Sequence, residues 1–335
     1  MCVAWDPMTE TATTRTDEVL EQLEPYRREL TGHCYRMLGS AFEAEDAAQE
    51  ALIRAWRAYE RFEGRSSLRS WLYRIATNVC LDMLNGRQRR ARPMDFGAPQ
   101  VAERATLGPV HGEATWIDPI PDSRALPDDG DPGDVAVARE SIRLAFIGAL
   151  QHLPPRQRAV LILREVLRWK AEEVAQLLDT TVASVNSALQ RARATLADAQ
   201  LTLGDVGDPD DSDQQALVAR YVDAFERYDM ESLTALLHED ATLSMPPYEL
   251  WLQGPENIAG WMVGQGHGCR GSRMVPVEAN GSPAFGQYRQ STTGEGHEPW
   301  SLTVLETSGG KVTGINSFLD TDRLFPLFNL PPRLD

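Results

Sequence analysis

The chain has 335 residues, 42% hydrophobic and 24% charged, with a formal net charge of −16. That is enough for two or three domains with cores of their own, and the composition is globular rather than collagen-like or wholly disordered. No window approaches the ~20 uninterrupted apolar residues of a membrane span. Met1-Cys2-Val3-Ala4-Trp5-Asp6-Pro7 lacks the basic and then apolar regions of a secretory leader, and Cys2, Cys34, Cys80 and Cys269 are too scattered for a disulfide framework or a zinc knuckle. The expectation is a cytoplasmic protein with reduced thiols, no metal, no cofactor and no membrane contact.

Net acidity argues against nucleic-acid binding only if the charge is evenly spread, and it is not. Residues 1–92 carry 14 Arg and 14 acids, and residues 138–200 are net +3, whereas residues 93–137 and 201–335 are net −7 and −12. Arg65 to Arg92 holds seven arginines and one acid, Asp82. Fields act over about a Debye length, ~8 Å at physiological salt, so the local sign governs what each segment attracts.

In chain order, residues 1–16 are polar and unpatterned and are expected to be a disordered tail. Residues 17–92 form a helical module. Leu30, Cys34, Met37, Leu38 and then Ala48, Leu52, Ala55, Trp56 recur at three- and four-residue steps and are placed on buried stripes. Phe62–Ser67 interrupts the pattern as a loop, and Ser67 is the expected N-cap of a helix from Leu68. Residues 93–137 contain seven prolines and surplus acid, which predicts a linker that neither holds a helix nor buries much surface.

Residues 138–200 are a second helical module. Ala171–Leu178 is a short helix, Asp179-Thr180-Thr181 a turn, and Val185, Leu189, Ala192 and Leu196 mark one buried face of the next helix. Ala183, Ser187, Gln190 and Arg191 lie roughly opposite that face at 100° per residue, with Asn186 beside them. Small polar residues with a few arginines on the free side of a second helix suit a major groove. Residues 201–213 read as an acidic hinge. From 214 to 335, helices around Leu217–Phe225 and Met230–Leu237 lead into strands near 241–245, 248–252, 273–278, 284–290, 300–306 and 312–319, with a short helix at Pro255–Val263 between them. This is α+β, one curved antiparallel sheet wrapped on a few helices.

Leu153-Pro154-Pro155-Arg156-Gln157-Arg158-Ala159-Val160-Leu161 through Val185–Arg193 resembles region 4 of an extracytoplasmic-function (ECF) sigma factor of the sigma-70 family. Ala44–Trp56 followed by Trp71–Asn78 resembles region 2 of the same family. Leu250–Ile258 and its surroundings resemble a SnoaL-like domain of the NTF2 fold, a combination similar to the SigG-type members. The resemblance implies two all-α sigma domains and a C-terminal NTF2-like cone in a non-enzymatic subunit that gives RNA polymerase its promoter specificity.

It implies contacts to the β′ coiled coil of core polymerase at Asp46, Gln49, Glu50, Arg54 and Trp56, and a contact between the chain and the β flap. It places minus-10 DNA on Phe62, Arg65, Ser66, Ser67, Asn78, Arg87, Arg89 and Arg90, with Arg92 beside them. It places minus-35 DNA on Arg164, Lys170, Asn186, Ser187, Gln190 and Arg191, with Arg168 a further phosphate contact. The acidic linker would thread the polymerase interior, and Trp116–Asp122 could dock it. An anti-sigma factor or a small ligand is a further partner that the residues leave open.

Pocket candidates in the cone are Tyr221, Met245, Tyr248, Trp251, Trp261 and Phe285. Catalysis there would need a buried carboxylate or a His–carboxylate pair. His238, Asp240, Glu249 and His267 are available, and no spacing singles out a pair, so no catalytic residue is assigned. The competing readings are an NTF2-fold isomerase- or cyclase-like enzyme carrying a nucleic-acid module, and a free-standing helix-turn-helix repressor.

Overall fold

Alanines spaced for one helical face set the geometry of the N-terminal module. The computed structural model describes residues 18–127, 131–198, 212–292 and 294–335; the expected tail and most of the expected acidic hinge lie outside them. Helices α1 (Arg27–Leu38), α2 (Ala41–Ala58) and α3 (Leu68–Leu84) pack on one another. Ala41, Ala44, Ala47, Ala48, Ala51 and Ala55 on α2 are fully buried, so the backbones approach closely. Gly39, at φ 71°, ends α1 in the left-handed conformation that favours glycine, and Ser40 caps α2 by accepting the Glu43 N–H. Ser67 caps α3 as expected. Trp56 departs from its predicted place: it is 40% exposed, because it falls on the outer flank of the α2 stripe.

Among its described residues, the expected linker is structured, and several of its apolar side chains are buried. It makes three-residue helical turns, a short α4 (Asp122–Ala125) and α5 (Pro132–Glu140). Ala105, Trp116, Ile117, Ile120 and Ala125 are all under 4% exposed. The prolines preclude regular structure along most of the segment, but the few apolar side chains between them find cores supplied by other modules. Composition alone cannot report that.

The second helical module comprises α6 (Leu144–Gln151), α7 (Pro155–Leu161) with a wide turn through Val166, α8 (Ala171–Leu177) and α9 (Val182–Asp198). The C-terminal domain has α10 (Ser212–Glu226), α11 (Met230–Ala235), α12 (Pro255–Val263) and a late α13 (Thr321–Leu327), which was not expected. Its strands are β1 (Leu237–Ser244), β2 (Trp251–Gln253), β3 (Arg273–Ala279), β4 (Ser282–Gln290), β5 (His297–Ser308) and β6 (Lys311–Phe318), ordered β2-β1-β6-β5-β4-β3. All pairs are antiparallel except β1 with β6, which corrects the expectation of a purely antiparallel sheet.

Side chains alternate across the pleat. Phe285, Leu305 and Ile315 join α10, α11 and α12 in the cone's core. Ala284, Tyr288, Leu302 and Val304 face the other way into a core continuous with both helical modules. The cone therefore buries the outer face of its sheet against the rest of the chain.

Candidate nucleic-acid interface

The loop before α3 presents its groups to solvent. Phe62 stacks on Trp71 with ring centroids 4.9 Å apart, and Tyr59 packs edge-on to Trp71 at 6.4 Å. Arg65, Ser66 and Ser67 are exposed, and Asn78 is exposed on α3. Such a loop can stack and hydrogen-bond an unpaired base. Its groove, about 640 Å³, is shared: Arg61, Phe62, Arg65 and Trp71 line one side, and Glu173, Gln176 and Leu177 of α8 line the other. The Trp169 ring, just before α8, lies 5.2 Å from Tyr73 on α3.

The arginine run after α3 is divided. Arg87 pairs with Glu43 at 2.7 Å, and Arg89 lies 3.5 Å from Asp95, while both remain exposed. Arg90 is buried: it bonds the Glu113 and Trp116 carbonyls at 2.8 and 2.5 Å and pairs with Glu43 at 3.1 Å. Arg92 turns to Glu306 and Asn316 of the cone. In this conformation Arg90 and Arg92 do not face a phosphate backbone; the acidic linker and the cone hold them.

On α9, Val185, Leu189, Ala192 and Leu196 are buried while Ala183, Asn186, Ser187, Gln190 and Arg191 are exposed. The free face has the composition expected of a groove reader. Lys170 and Arg168 are exposed beside it, the latter 3.4 Å from Asp134. Arg164 instead donates to the Trp169 carbonyl, with its Nε buried, and so braces the approach to α8.

On α2, Asp46 and Gln49 are exposed, Arg54 bonds Glu50 at 2.7 Å, and Trp56 lines an open apolar groove with Leu20, Leu23, Leu52 and Ile53.

One junction ties every module together. The hairpin between β3 and β4 turns at Asn280-Gly281, both with positive φ, 56° and 62°, the pairing that a tight two-residue turn favours. Asn280 is fully buried. Its Nδ2 donates to Tyr35 Oη on α1 at 2.7 Å and to the Ile142 carbonyl before α6 at 2.6 Å. Its Oδ1 accepts the Ile120 N–H of the linker at 3.0 Å, and the Gly281 N–H donates to Asp122 Oδ1 at 2.8 Å. Burial raises the carboxyls of Asp122 and nearby Asp118 to about 6.

A second fastening is Arg158 on α7, which is 2% exposed. It donates to the Met37 carbonyl at the end of α1, to Gln151 Oε1 at 2.7 Å and to the Leu153 carbonyl. Burial without a carboxylate lowers its pKa to about 10.

Family models match three stretches of the chain: "Sigma-70 region 2" at residues 23–90, "Sigma-70, region 4" at 143–196 and "SnoaL-like domain" at 218–315. The ECF RNA polymerase sigma factor SigG of Mycobacterium tuberculosis is 45% identical over 97% of this chain and 87% of its own length. The chain belongs to the ECF sigma factor family. SigJ of the same organism is 26% identical over 91% of this chain and 92% of its own. The crystal structure of that protein matches the fold with a TM-score of 0.60 at 20% identity, covering 93% of this chain and all of the other.

In this sigma factor the cone's cavity draws on only part of the predicted set. Tyr221, Met245 and Trp261 line it, whereas Tyr248, Trp251 and Phe285 do not. Trp251 donates to the Gly97 carbonyl of the linker at 2.9 Å, Tyr248 pairs by backbone with Val110, and Phe285 is 4% exposed in the cone core. His111 of the linker meets Glu249 at 2.5 Å, a His–carboxylate pair outside the cavity; His238 and His267 bond neighbouring backbone.

Sequence reasoning missed Asn280 and Arg158 as fastening points and Arg289 as a cavity residue; Asp122 ends the stretch Trp116–Asp122 expected to dock the linker, and here it fastens that linker to the cone. Asn280-Gly281 between alternating segments does signal a hairpin, but nothing local says where its tip lands.

Proposed function

We propose that this sigma factor binds core RNA polymerase through α2, with Asp46, Gln49, Glu50, Arg54 and Trp56. In that holoenzyme the loop 62–68 with Asn78 takes the minus-10 element, Arg87 and Arg89 hold duplex phosphates, and the free face of α9 reads the minus-35 element. The compact arrangement is its resting form. The observation that carries this reading is the shared groove: Glu173, Gln176 and Leu177 on α8 of the DNA-reading module line the same groove as Arg61, Phe62 and Arg65 of the base-capturing loop. Two elements spaced along a promoter need these modules apart.

The cone acts as a brace rather than a catalyst. Supporting this, none of the described residues lining its cavity is a His or a carboxylate, and the buried Asn280-Gly281 turn joins the cone to both modules and the linker. Reconstitution with core polymerase tests the whole. The expected result is association and promoter-directed initiation that Gln190→Ala with Arg191→Ala reduces without loss of association. Failure of the full chain to associate with core polymerase would overturn it.

A further inference from the structure

The cone encloses a cavity of about 130 Å³. Its walls are largely apolar, with Tyr221, Phe225, Trp261, Met262 and Ile315 among them, and among the described residues no Asp or Glu lines it and a single cation reaches it, Arg289, within a C-terminal stretch of net −12. Arg289 lies flat over the Trp300 indole, its Cζ 3.2 Å from the ring centroid. Its Nη2 donates to Cys269 Sγ at 3.0 Å, and its Nε is buried with no hydrogen-bond partner. Among the described residues no carboxylate lies within 4.0 Å of the guanidinium.

A half-buried cation with a cysteine sulfur and an aromatic face for company is under-satisfied; an anion would correct that. Gln287, Thr303 and Ser317 in the cavity lining already answer one another through Ser301. Ser301 Oγ bonds Gln287 Oε1 at 3.0 Å and Thr303 Oγ1 at 3.2 Å, and Thr303 bonds Ser317 at 3.3 Å. Arg289 is the cation that lines this largely apolar cavity.

We infer that this cavity is a binding site for a small planar monocarboxylate, an aromatic acid, with its carboxylate on Arg289 and its ring among the aromatic and methionine side chains. An apolar cavity of about 150 Å³ takes a benzene ring, so the volume suits one ring. The linker is part of the site: Leu107 lines the same cavity, and Gln265 Nε2 holds the linker beside it by donating to the Ala105 carbonyl at 2.6 Å. An acid larger than one ring must displace Leu107. That coupling rests on the resting-form reading above, whereas binding itself does not.

Calorimetric titration of the full chain with benzoate, and with benzyl alcohol as its uncharged counterpart, tests the inference without polymerase or DNA. Benzoate should bind saturably to the native chain and at least ten-fold more weakly to Arg289→Gln; a two-ring acid such as 2-naphthoate should bind more tightly to Leu107→Ala than to the native chain; benzyl alcohol should bind at least ten-fold more weakly than benzoate. Absence of saturable binding to both the native chain and Leu107→Ala up to about 10 mM, well above a ~1 mM affinity scale, would overturn it. So would equal binding of the two probes to the native chain, a comparison that stands even if Arg289→Gln fails to fold. Because the readout is heat of binding, a negative result leaves the sigma reading untouched, and loss of transcription would leave this one untouched.

Discussion

Replacing Asn280 by glycine isolates the clasp from the hairpin that carries it. Glycine adopts φ of 56° without strain, and Gly-Gly supports the same tight turn, so β3 and β4 should remain paired. What disappears are three side-chain hydrogen bonds, to Tyr35, Ile142 and Ile120. At roughly 1 kcal/mol net each, with the Ile120 N–H and the Ile142 carbonyl left buried and unpaired, the closed form loses about 3 kcal/mol. That is about a hundred-fold in its equilibrium with an open form, enough to take a population that is ~99% closed to about half. Energy transfer between dyes on Arg57→Cys and Ala197→Cys, in a chain whose native cysteines are replaced, reports the separation of the two helical modules. The variant should show lower transfer and bind core polymerase more tightly. Unchanged transfer in a folded Asn280→Gly chain would refute the view that this turn holds the modules together.

Three further outcomes follow from the same geometry. Asp118 and Asp122 have carboxyls near 6 when buried, above the ordinary ~3.9, so the junction binds protons and weakens as pH rises from about 4 through 6. The closed fraction should be larger at about pH 5 than at 7.5, and Asp122→Asn, which keeps an acceptor for the Gly281 N–H, should flatten that profile and raise the closed fraction at pH 7.5; an unaltered profile counts against it. Arg158→Ala strips hydrogen bonds of a charged donor worth about 1.5–3 kcal/mol apiece and should lower the melting temperature by roughly 5–10 °C; a shift within ~1 °C would show that α7 is not fastened to α1 there. Gln190→Ala should reduce initiation about five- to 150-fold at a promoter with a matched minus-35 element, since one good base contact is worth about 1–3 kcal/mol; an equal effect on a promoter lacking that element would refute base reading.

Local patterning disclosed the elements well. The buried stripe on α9, the Ser67 cap and the bounds of α12 all follow from spacing and side-chain chemistry that neighbours in sequence determine. The linker was misjudged because Ile117 and Ile120 are buried by residues far along the chain, and because its seven prolines exclude neither that burial nor the helices at Asp122–Ala125 and Pro132–Glu140. Trp56 shows the same limit from the other side: an apolar residue at helical spacing stays 40% exposed because it falls on the outer flank of the α2 stripe. Arg158, Arg289 and Asn280 acquire their roles only once distant carbonyls, an indole and a tyrosine hydroxyl are brought to them. α13, with Pro326 inside it, was hidden by a residue that ordinarily ends helices.

The proline-rich segment between the two helical modules has one more property. Folded against three partners, it keeps those modules side by side. Pulled straight at 3.3–3.6 Å per residue, the stretch from 93 to 137 would extend on the order of 150 Å. The material that ties the molecule shut is thus also a cord of generous length, and unclasping it would let the two DNA readers travel far apart while remaining one polypeptide.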